Sequence, residues 1–337
     1  MTFNIDLPAL RENKIHRKIL IVGGAGYIGL ALTKELLEAG YEVTVFDSLI
    51  HGHEPLDFLL NKPRLNFVKG DIRDIGLVNQ TVKGHWGVVL LAALVGVEAC
   101  DKDRQQTLEI NYLASQNVVE CAFSQLVKRF IFASTDSCYG QRPGEKLNEL
   151  AYLDPLSIYA VYKSKMEEKV LSMPFSAYFS PVILRLGTVY GMSPRPRFDL
   201  VVNLLVREIV LRGVATIYSG EQWRPLVHVR DVARAFRLAL EAPRYLIHDQ
   251  IFNVGADQDN VQFKDLKDLL LKINPEGQVT ITPGLADLRN YYVVFEKIKK
   301  ILDFKPSISL LEGMEEIRDS LLSGYPADPY SAKWKNS

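Results

Sequence analysis

The feature that most constrains this chain is a set of three glycines between a short apolar run and an amphipathic pattern. The apolar run is Lys18–Val22, and the helix-period segment Ile28–Leu37 follows it closely. Small residues at such a junction make the turn and let the backbone approach a pyrophosphate, while the helix N-terminus attracts the anion. The residues predicted to bind a dinucleotide at this junction are Gly23, Gly26, Tyr27, Ile28 and Gly29.

The rest of the first half alternates buried strands with helices. Helix-period segments such as Leu108–Phe123 lie between short apolar runs. The apolar runs predict strands at Lys18–Val22, Glu42–Phe46, Leu65–Val68, Val88–Ala92, Arg129–Ala133 and Val182–Leu186. Strands that alternate with helices imply right-handed crossovers and a parallel sheet covered on both faces. The pattern therefore predicts an α/β fold with a doubly wound parallel sheet of the Rossmann type.

The second half has a looser rhythm and predicts a smaller C-terminal α/β lobe. A Pro-rich loop with Pro194 and Pro196 precedes a helix at about 200–212, and His228–Leu240 with Ile251–Val254 indicates a helix and a buried strand that return to the first domain. The expected organisation is an N-terminal arm (1–16), a dinucleotide-binding domain (17–185), a substrate lobe (186–325, of which about 226–258 returns to the first domain) and a C-terminal tail (326–337).

Composition argues against several classes of partner. The 337 residues carry 40 Lys+Arg against 40 Asp+Glu without a long run of like charges, which argues against nucleic acid or an anionic membrane surface as the main partner. The cysteines Cys100, Cys121 and Cys138 form no CxxC pair and have no nearby His, so neither disulfides nor a metal site is expected. No apolar run is long enough for a signal peptide or a membrane span. We expect a cytoplasmic protein with reduced thiols.

Asp47 identifies the expected cofactor. It stands eighteen residues after Gly29, at the end of the second predicted strand. A carboxylate at that place accepts both ribose hydroxyls of an adenosine and repels a 2′-phosphate, and no Arg or Lys follows before Lys62. NAD is therefore expected rather than NADP. Further expected cofactor contacts, which follow the third and fourth strands, are Asp71, Ile72, Leu91, Ala92 and Ala93.

Tyr159 and Lys163 form the candidate chemical pair. They follow Asp154-Pro155-Leu156-Ser157, a typical helix entry, so the two side chains are expected on one helix face. A free Tyr has a pKa near 10 and must lose roughly three units, or about 4 kcal/mol, to act as a base near neutrality. One positive charge at about 4 Å in an effective dielectric of about 20 supplies about 4 kcal/mol. Lys163 is expected to suffice if its charge survives burial.

The fifth predicted strand ends in a polar turn that begins with Ser134 and Thr135. Hydroxyls there stand at the carboxyl edge of the sheet, where such folds bind ligands. By itself the segment is an ordinary polar turn. Together with Tyr159 and Lys163, it would take a proton from an alcohol while a hydride leaves to a nicotinamide.

Taken in order, these motifs resemble the extended short-chain dehydrogenase/reductases. The set comprises the glycine turn, Asp47, Asp71-Ile72, Leu91-Ala92-Ala93, Asn111, the Ser-Thr turn with Tyr139-Gly140, and Tyr159-x-x-x-Lys163. Within that superfamily, residues 17–320 are similar to the NAD-dependent nucleotide-sugar epimerase/dehydratase family. The resemblance implies that Tyr159 is the catalytic base, that Lys163 lowers its pKa and binds the nicotinamide ribose, and that Thr135 binds the sugar hydroxyl. It also implies a homodimer, with the helices near Leu108–Phe123 and Ile158–Leu171 as candidate contacts.

The resemblance extends to the second lobe. Trp223–Asp231 is similar to the family segment whose Arg, four residues before the His, grips the substrate diphosphate, and this places the role on Arg224. Arg195 and Arg197 are candidate helpers, although solvated loop arginines fit them equally well. The full set of substrate residues implied is Thr135, Arg195, Arg197, Asn203, Arg224 and Arg289. The implied partner is a nucleotide-diphosphate sugar.

The turn Thr135-Asp136-Ser137 bears on the reaction. Family 4,6-dehydratases carry Thr-Asp-Glu, in which the Asp protonates the leaving hydroxyl and the Glu removes a ring proton, so this chain keeps the acid, Asp136, and lacks the base. The leading expectation is oxidation at C4 of the sugar, as a 4-epimerase or a 4-dehydrogenase, because the loops also resemble GDP-heptose 4-dehydrogenases. The alternative is a 4,6-dehydratase, decarboxylase or 4-ketoreductase of the same family. Outside it, a non-enzymatic NAD sensor typically loses the Tyr–Lys pair, and a steroid or flavonoid alcohol dehydrogenase would lack the diphosphate Arg.

Overall fold

The central sheet takes its first six strands from residues 18–186 and its seventh from residues 250–254. The computed structural model describes residues 17–52, 62–283 and 289–336, so the predicted arm, residues 1–16, lies outside the described residues. The strands of this sheet are β1 (Lys18–Val22), β2 (Glu42–Asp47), β3 (Leu65–Lys69), β4 (Gly87–Leu90), β5 (Arg129–Thr135), β7 (Pro181–Leu186) and β11 (Gln250–Val254). Among the described residues these seven run parallel in the order β3-β2-β1-β4-β5-β7-β11. The predicted doubly wound sheet is confirmed.

Both faces of this sheet are covered, which explains the continuous apolar runs. Successive side chains of a strand point to opposite faces. In β1, Ile19 and Ile21 join one buried cluster, whereas Leu20 and Val22 join the other. Burial of an aliphatic side chain contributes roughly 1.5–3 kcal/mol, so each strand stabilises both layers.

The first domain has helices on both faces. They are α1 (Tyr27–Glu38), α2 (Ile75–Val82), α3 (Val97–Lys102), α4 (Arg104–Leu108), α5 (Ser115–Ser124) and α6 (Ile158–Leu171). On one face α1 packs against a helix of the second half, Val229–Glu241. On the other face α2 packs against α5, and Val78 and Val118 of these two helices are buried in the same cluster.

The predicted helix Leu108–Phe123 is interrupted. Between α4 and α5, Glu109–Ala114 form a π-helical turn. The Ser115 hydroxyl donates to the Ile110 carbonyl five residues earlier, at 2.8 Å. Such a turn carries one residue more than an α-helical turn and is frequent at functional sites. Periodicity did not predict it.

The second half adds smaller sheets and further helices. Its strands, with one from the first domain, are β6 (Gln141–Leu147), β8 (Thr188–Tyr190), β9 (Val214–Tyr218), β10 (Trp223–His228), β12 (Asn260–Gln262), β13 (Gln278–Thr282) and β14 (Asn290–Val293). Its helices are α7 (Val201–Arg212), α8 (Val229–Glu241), α9 (Arg244–Ile247), α10 (Leu266–Ile273), α11 (Glu296–Leu302) and α12 (Leu310–Leu322). In the described part of the chain, β10 lies between β8 and β12, β9 pairs with β13, and β6 pairs with β14. The chain returns to the first domain through α8 and β11, whereas Leu226–His228 pairs with β8 in the small sheet.

A third buried cluster forms the core of the lobe, between α7, α10 and α12. Trp334 belongs to it, with 6% of its surface exposed, and Ala332–Trp334 form a 3-10 turn. Part of the segment expected to be a tail therefore packs on the lobe. The reason is a single tryptophan anchor, which leaves no periodic pattern.

Two general features accompany this fold. Cys100, Cys121 and Cys138 are buried free thiols. Within residues 17–52, 62–283 and 289–336, no helix is long and apolar enough to cross a bilayer, and no three potential metal ligands gather at one point.

Candidate active site

A cavity of about 630 Å³ lies at the carboxyl edge of the central sheet. It runs from the turn after β1, past the ends of β4 and β5, to Arg224 on β10 and Tyr291 on β14. The strand order reverses between β1 and β4, which is where doubly wound sheets bind ligands. The cavity thus brings the predicted site residues together in one space, with the exception of Asp136 and Asn203.

The glycine turn forms one end of the cavity. Gly23 has φ +86°, and a Cβ there would lie 2.5 Å from the Ala92 nitrogen; a Cβ at Gly29 would lie 2.6 Å from the Gly23 carbonyl oxygen. Protein packing alone requires glycine at these two positions. Gly26 differs, because its φ is −79° and a Cβ would meet only the Gly23 oxygen, at 3.4 Å. The fold would accept a side chain at Gly26, and its absence leaves the backbone open to a ligand.

Helix α1 begins at this turn with uncapped donors. Among the described residues no side chain caps the helix at Gly26, so the first-turn N–H groups are available to an anion. Tyr27 and Ile28 line the cavity here. The Tyr27 hydroxyl turns away and donates to the Gly191 carbonyl at 2.8 Å. The open backbone and the uncapped N-terminus fit the pyrophosphate of a dinucleotide.

Asp47 lies beside the glycine turn at the end of β2. The backbone N–H of Ala25 donates to Oδ2 at 3.0 Å and that of Leu49 donates to Oδ1 at 2.8 Å. Burial raises the pKa of the carboxyl, while these two N–H groups and the positive charge of Arg195 act against that rise. The carboxylate is fixed at the cavity wall, where it suits ribose hydroxyls. Arg195 is a cation near Asp47 that the residues following Asp47 in sequence could not reveal.

Asp71 and Ile72 line the cavity after β3. The Arg73 guanidinium binds the Asp71 carboxylate through Nε at 3.1 Å and Nη2 at 2.8 Å, and this hydrogen bonding lowers the pKa of Asp71. Arg73 also reaches Glu109 in the π-helical turn, at 3.1 Å. The expected adenine contact therefore has to form beside an ion pair that already engages Asp71.

The loop after β4 is held close to the glycine turn. The N–H groups of Leu91 and Ala92 both donate to the Val22 carbonyl at 2.8 Å, which ends β4 two residues earlier than predicted. Asn111, in the π-helical turn, accepts from the Leu94 N–H at 2.8 Å and donates to the Leu94 carbonyl at 2.9 Å. Leu91, Ala92 and Ala93 line the cavity. The irregular helix therefore anchors the loop that borders the cofactor end.

Tyr159 and Lys163 lie on one face of α6, as their spacing predicted. The Ser157 hydroxyl accepts from the third N–H of this helix, that of Ala160, at 3.3 Å. The Lys163 ammonium donates to the Ala133 carbonyl at 2.8 Å and lies 5.8 Å from the centre of the Tyr159 ring. Both side chains line the cavity. The pair is thus built by a capped helix whose lysine is bonded to the end of β5.

The electrostatics of this pair differ from the simple balance drawn from the sequence. Burial lowers the pKa of Lys163 to about 8, so the ammonium stays mostly charged at neutral pH. Burial raises the pKa of Tyr159, and the charges that oppose this are those of Arg197 and Arg289. The balance drawn from the sequence counted only the charge of Lys163 against the pKa of Tyr159. It left out the burial of both side chains, which disfavours their charged forms. The protein without ligand therefore holds Tyr159 as a protonated phenol.

Thr135 and Asp136 end in different surroundings. Thr135 lines the cavity, and its hydroxyl oxygen accepts the Ser137 N–H at 3.1 Å. Asp136 is 1% exposed and does not line the cavity, and neither carboxylate oxygen has a hydrogen-bond partner among the described residues. Burial holds its pKa well above the usual range. The expected acid is therefore a buried carboxyl group with a raised pKa, outside the cavity lining.

Glu167 is a site-supporting residue that the sequence reasoning missed. It follows Lys163 by one helical turn and accepts hydrogen bonds from the Ser134 hydroxyl and from Arg185, at 3.0 Å from Nε and 2.7 Å from Nη2. The side chains of Glu167 and Arg185 are each 4% exposed. Two side chains of α6 thus hold adjacent residues at the end of β5, which fixes Thr135 relative to Tyr159. The i,i+4 spacing from Lys163 is the signal that could have identified Glu167.

Arg224 and Arg289 form the far end of the cavity. Arg224 is 2% exposed and lies between two rings, 5.1 Å from the centre of Tyr291 and 5.5 Å from that of Phe263. Its guanidinium donates to the Trp223 carbonyl at 2.8 Å and to the Arg289 carbonyl. Arg289 donates to the Ser137 hydroxyl at 3.2 Å. Two guanidinium groups at one end of a cavity suit a diphosphate.

Arg195 and Arg197 are buried rather than solvated. Arg195 is 1% exposed, and its Nη2 donates to the Lys333 and Lys335 carbonyls at 3.2 Å and to Asn336 Oδ1 at 2.8 Å. Arg197 pairs with Asp199 through Nε at 3.1 Å and Nη2 at 2.5 Å. Both line the cavity. A substrate that used Arg197 would have to share it with Asp199.

Asn203 lies behind the cavity wall. It is fully buried, its side-chain oxygen accepts the Gly191 N–H at 3.0 Å, and its amide donates to the Arg197 carbonyl at 3.0 Å. It does not line the cavity. In this structure Asn203 holds the loop 191–197 in place, because both ends of its amide bind backbone. Its contact with the substrate stays a prediction.

Further lining residues had little or no signal in the sequence. They include His51, Phe263, Tyr291 and Asn336. Burial, helped by the charges of Arg195 and Arg197, lowers the pKa of His51 to about 4, so its ring is neutral at physiological pH. His51 follows Asp47 by four residues, which is the only sequence hint; the others come from distant segments.

Several known proteins are similar to this chain in sequence and in fold. The sequence profile of the NAD dependent epimerase/dehydratase family matches residues 19–255. A UDP-glucose 4-epimerase of Lacticaseibacillus casei is 30% identical over 309 residues, which are 86% of this chain and 92% of that protein. The crystal structure of UDP-glucuronic acid 4-epimerase from Bacillus cereus, in complex with UDP-glucuronic acid and NAD, is similar with TM-score 0.82 and 27% identity, over 91% of this chain and 99% of that one. A dTDP-glucose 4,6-dehydratase from Streptomyces venezuelae with NAD bound is similar with TM-score 0.80 and 26% identity, over 91% and 98%.

Proposed function

Because this chain belongs to the NAD dependent epimerase/dehydratase family, an enzyme family that acts with NAD on nucleotide sugars, we propose that it oxidises a nucleotide-diphosphate sugar at C4 and returns the ketone as the C4 epimer. The observation that carries the proposal is the single cavity that joins Gly26 and Asp47, Tyr159 with Lys163, and Arg224. A dinucleotide and a diphosphate sugar can meet in that space beside one phenol.

The cofactor role falls to the residues around the glycine turn. The backbone at Gly26 and the start of α1 would hold the pyrophosphate of NAD, Asp47 the adenosine ribose, and the loop 91–93 the adjoining face. When bound there, NAD accepts a hydride from the carbon that bears the oxidised hydroxyl. NAD is expected rather than NADP, because the Asp47 carboxylate would repel the 2′-phosphate of NADP.

Tyr159 would act as the general base. Its phenolate would accept the proton of the C4 hydroxyl, while Thr135 holds that hydroxyl through its own. Lys163 keeps its charge below about pH 8 and would favour the phenolate and hold the nicotinamide ribose. The positive charge of a bound nicotinamide acts in the same direction and opposes the desolvation that raises the pKa of Tyr159.

Arg224 and Arg289 would bind the diphosphate of the nucleotide sugar. Arg224 is held between Tyr291 and Phe263, so its guanidinium is oriented before a ligand arrives. Arg224 and Arg289 line the far end of the cavity from the glycine turn. The substrate diphosphate and the pyrophosphate of NAD would therefore bind at separate places.

The 4,6-dehydratase alternative has support from the similar dTDP-glucose 4,6-dehydratase. Two features of this chain count against it. Ser137 stands where the dehydratases of this family carry their Glu, and Asp136 does not line the cavity. A 4-epimerase needs neither group, because the ketose only has to turn over and take the hydride back.

The test is a panel of UDP-, dTDP-, GDP- and CDP-sugars incubated with the protein and NAD, with products resolved by NMR. We expect a mixture of C4 epimers and no accumulation of NADH. Stoichiometric NADH with a 4-keto product would identify a 4-dehydrogenase, and a 4-keto-6-deoxy sugar would identify a dehydratase. Turnover of a steroid or flavonoid alcohol, or the absence of turnover with all of these compounds, would contradict the proposal.

We also propose a homodimer through the helices 104–124 and 158–171. Leu113 and Leu171 on these helices are 45% and 37% exposed, and Tyr112 stacks on Tyr162 between them at 5.9 Å. Analytical ultracentrifugation tests this: Leu113→Glu should shift a dimer of the unchanged chain to monomers.

A further inference from the structure

The loop that follows β8 lies directly on the glycine turn. The Tyr27 hydroxyl donates to the Gly191 carbonyl at 2.8 Å, and the Ser193 hydroxyl donates to the Tyr27 carbonyl at 2.7 Å. These two bonds join the loop to the first turn of α1. Arg195 follows Ser193 by two residues. It therefore lines the cavity at the cofactor end.

A second segment covers this loop. The Phe198 N–H donates to the Trp334 carbonyl at 2.9 Å, and the Asn336 N–H donates to Asp199 at 3.3 Å. Trp334 is buried in the lobe core, and its indole N–H donates to the Asp328 carbonyl at 2.9 Å. We call residues 332–336 the clasp segment. It is fixed to the lobe by a side chain and to the loop by backbone bonds.

Arg195 connects the clasp segment to the cavity. One nitrogen, Nη2, donates to two clasp carbonyls and to Asn336 Oδ1, whereas the buried Nε has no hydrogen-bond partner among the described residues. Arg195 and Asn336 both line the cavity, as do Asp47 and His51. The charge of Arg195 acts on Asp47, the residue that faces the adenosine ribose. An oriented, incompletely bonded guanidinium therefore stands at the adenosine end and not at Arg224's end.

We propose that Arg195, held by the clasp segment 332–336, binds the adenosine ribose and adjoining phosphate of the dinucleotide and slows its release. The inference rests on the proposed NAD site and differs from the expectation that Arg195 binds the substrate. A cofactor held in this way suits a reaction that takes the hydride back within one turnover, because no exchange of NAD is then needed.

The test measures two dissociation constants for each variant by calorimetry, with NAD and with UDP as probes. Arg195→Ala should lower the affinity for NAD about 10- to 100-fold, the range expected for charged hydrogen bonds, and leave the affinity for UDP within about twofold. Asn336→Ala removes only one acceptor of Arg195 and should weaken NAD about threefold and raise its dissociation rate in stopped flow. Lys333→Ala is the matched control, because it keeps the carbonyl that Arg195 binds and removes an exposed side chain.

The outcomes separate this inference from the proposed function. If the unchanged protein binds NAD and Arg195→Ala binds it equally well, or if Arg195→Ala weakens UDP instead, the inference is wrong and the proposed function stands. Equal loss of both probes together with a lowered unfolding midpoint would show a purely structural Arg195 and would also overturn it. If Asn336→Ala binds and releases NAD as Lys333→Ala does, the clasp segment does not contribute to NAD binding, and this part of the inference is wrong. If the unchanged protein binds no NAD, both the inference and the proposed function fail.

Discussion

The cofactor end and the substrate end of the cavity are built in different ways. At the cofactor end, Gly26 and Asp47 lie at the ends of neighbouring parallel strands, and backbone N–H groups fix their geometry. At the substrate end, Arg224 takes its orientation from Phe263 and Tyr291, which come from separate segments of the lobe. The first end depends on sheet topology and the second on tertiary packing. Variants can therefore disable one end and leave the other intact.

The largest effect is expected where the two ends meet. Tyr159→Phe removes the proton acceptor and should lower kcat by about 10²- to 10⁴-fold, the range of general base catalysis. The dissociation constants for NAD and UDP should change less than about twofold, because the ring remains. Tyr162→Phe, on the same helix, is the control and should retain kcat. Loss of NAD binding in Tyr159→Phe would show that the phenol belongs to the cofactor end alone.

The cofactor end can be broken without breaking the fold. Gly26→Ala places a methyl group where packing accepts it but a pyrophosphate would pass, so NAD affinity should fall about 100-fold while the free energy of unfolding changes by about 1 kcal/mol at most. Gly23→Ala is the contrasting variant, because its Cβ would meet backbone at 2.5 Å and should lower stability as well. Unchanged NAD binding in Gly26→Ala would contradict the assignment of the glycine turn.

The substrate end should respond to a charge change that NAD does not sense. Arg224→Ala should lower the affinity for UDP about 10- to 100-fold and leave the affinity for NAD within about twofold, since charged hydrogen bonds contribute roughly 1.5–3 kcal/mol. Arg230→Ala removes an exposed arginine, 57% accessible, from the same region and is the control. Equal loss of NAD and UDP in Arg224→Ala would mean that the two ends are not separate.

A smaller effect is expected from pH at the junction. The pKa of Lys163 is lowered from 10.5 to about 8 by burial, so its charged form dominates below about pH 8 and declines above it. Turnover that needs the ammonium should therefore fall about tenfold per pH unit once the pH passes about 8. UDP affinity, which depends on arginines, should stay level over the same range. A kcat/KM, which reports the pKa values of the free enzyme, that stays constant up to pH 10 would exclude a charged Lys163 from the mechanism.

The comparison also explains what the sequence could reveal. The glycine turn, Asp47 and the Tyr159–Lys163 pair were predictable because each lies within one strand–helix unit, whose geometry is local. The doubly wound parallel sheet followed from the alternation of apolar runs with helices. Arg224 was assigned by a family resemblance, since nothing local orients it.

The parts that sequence could not reveal depend on distant contacts or on irregular backbone. Arg195 was predicted for the substrate, whereas the loop that carries it is bonded to Tyr27 and its charge acts on Asp47. Asp136 was predicted as an acid, and its exclusion from the cavity lining depends on how the turn after β5 packs. The π-helical turn that holds Leu94 has no periodic signature. Glu167 alone was accessible in principle, through its spacing from Lys163.

The central claim is that a hydride leaves C4 of a nucleotide sugar in this cavity and returns to the same carbon. The most direct measurement uses UDP-glucose deuterated at C4, with the protein and NAD, and locates the deuterium by NMR. The account predicts that deuterium returns to C4 of the epimer, and that Tyr159→Phe yields no labelled epimer. Deuterium found in water or at C6 of the product would contradict it.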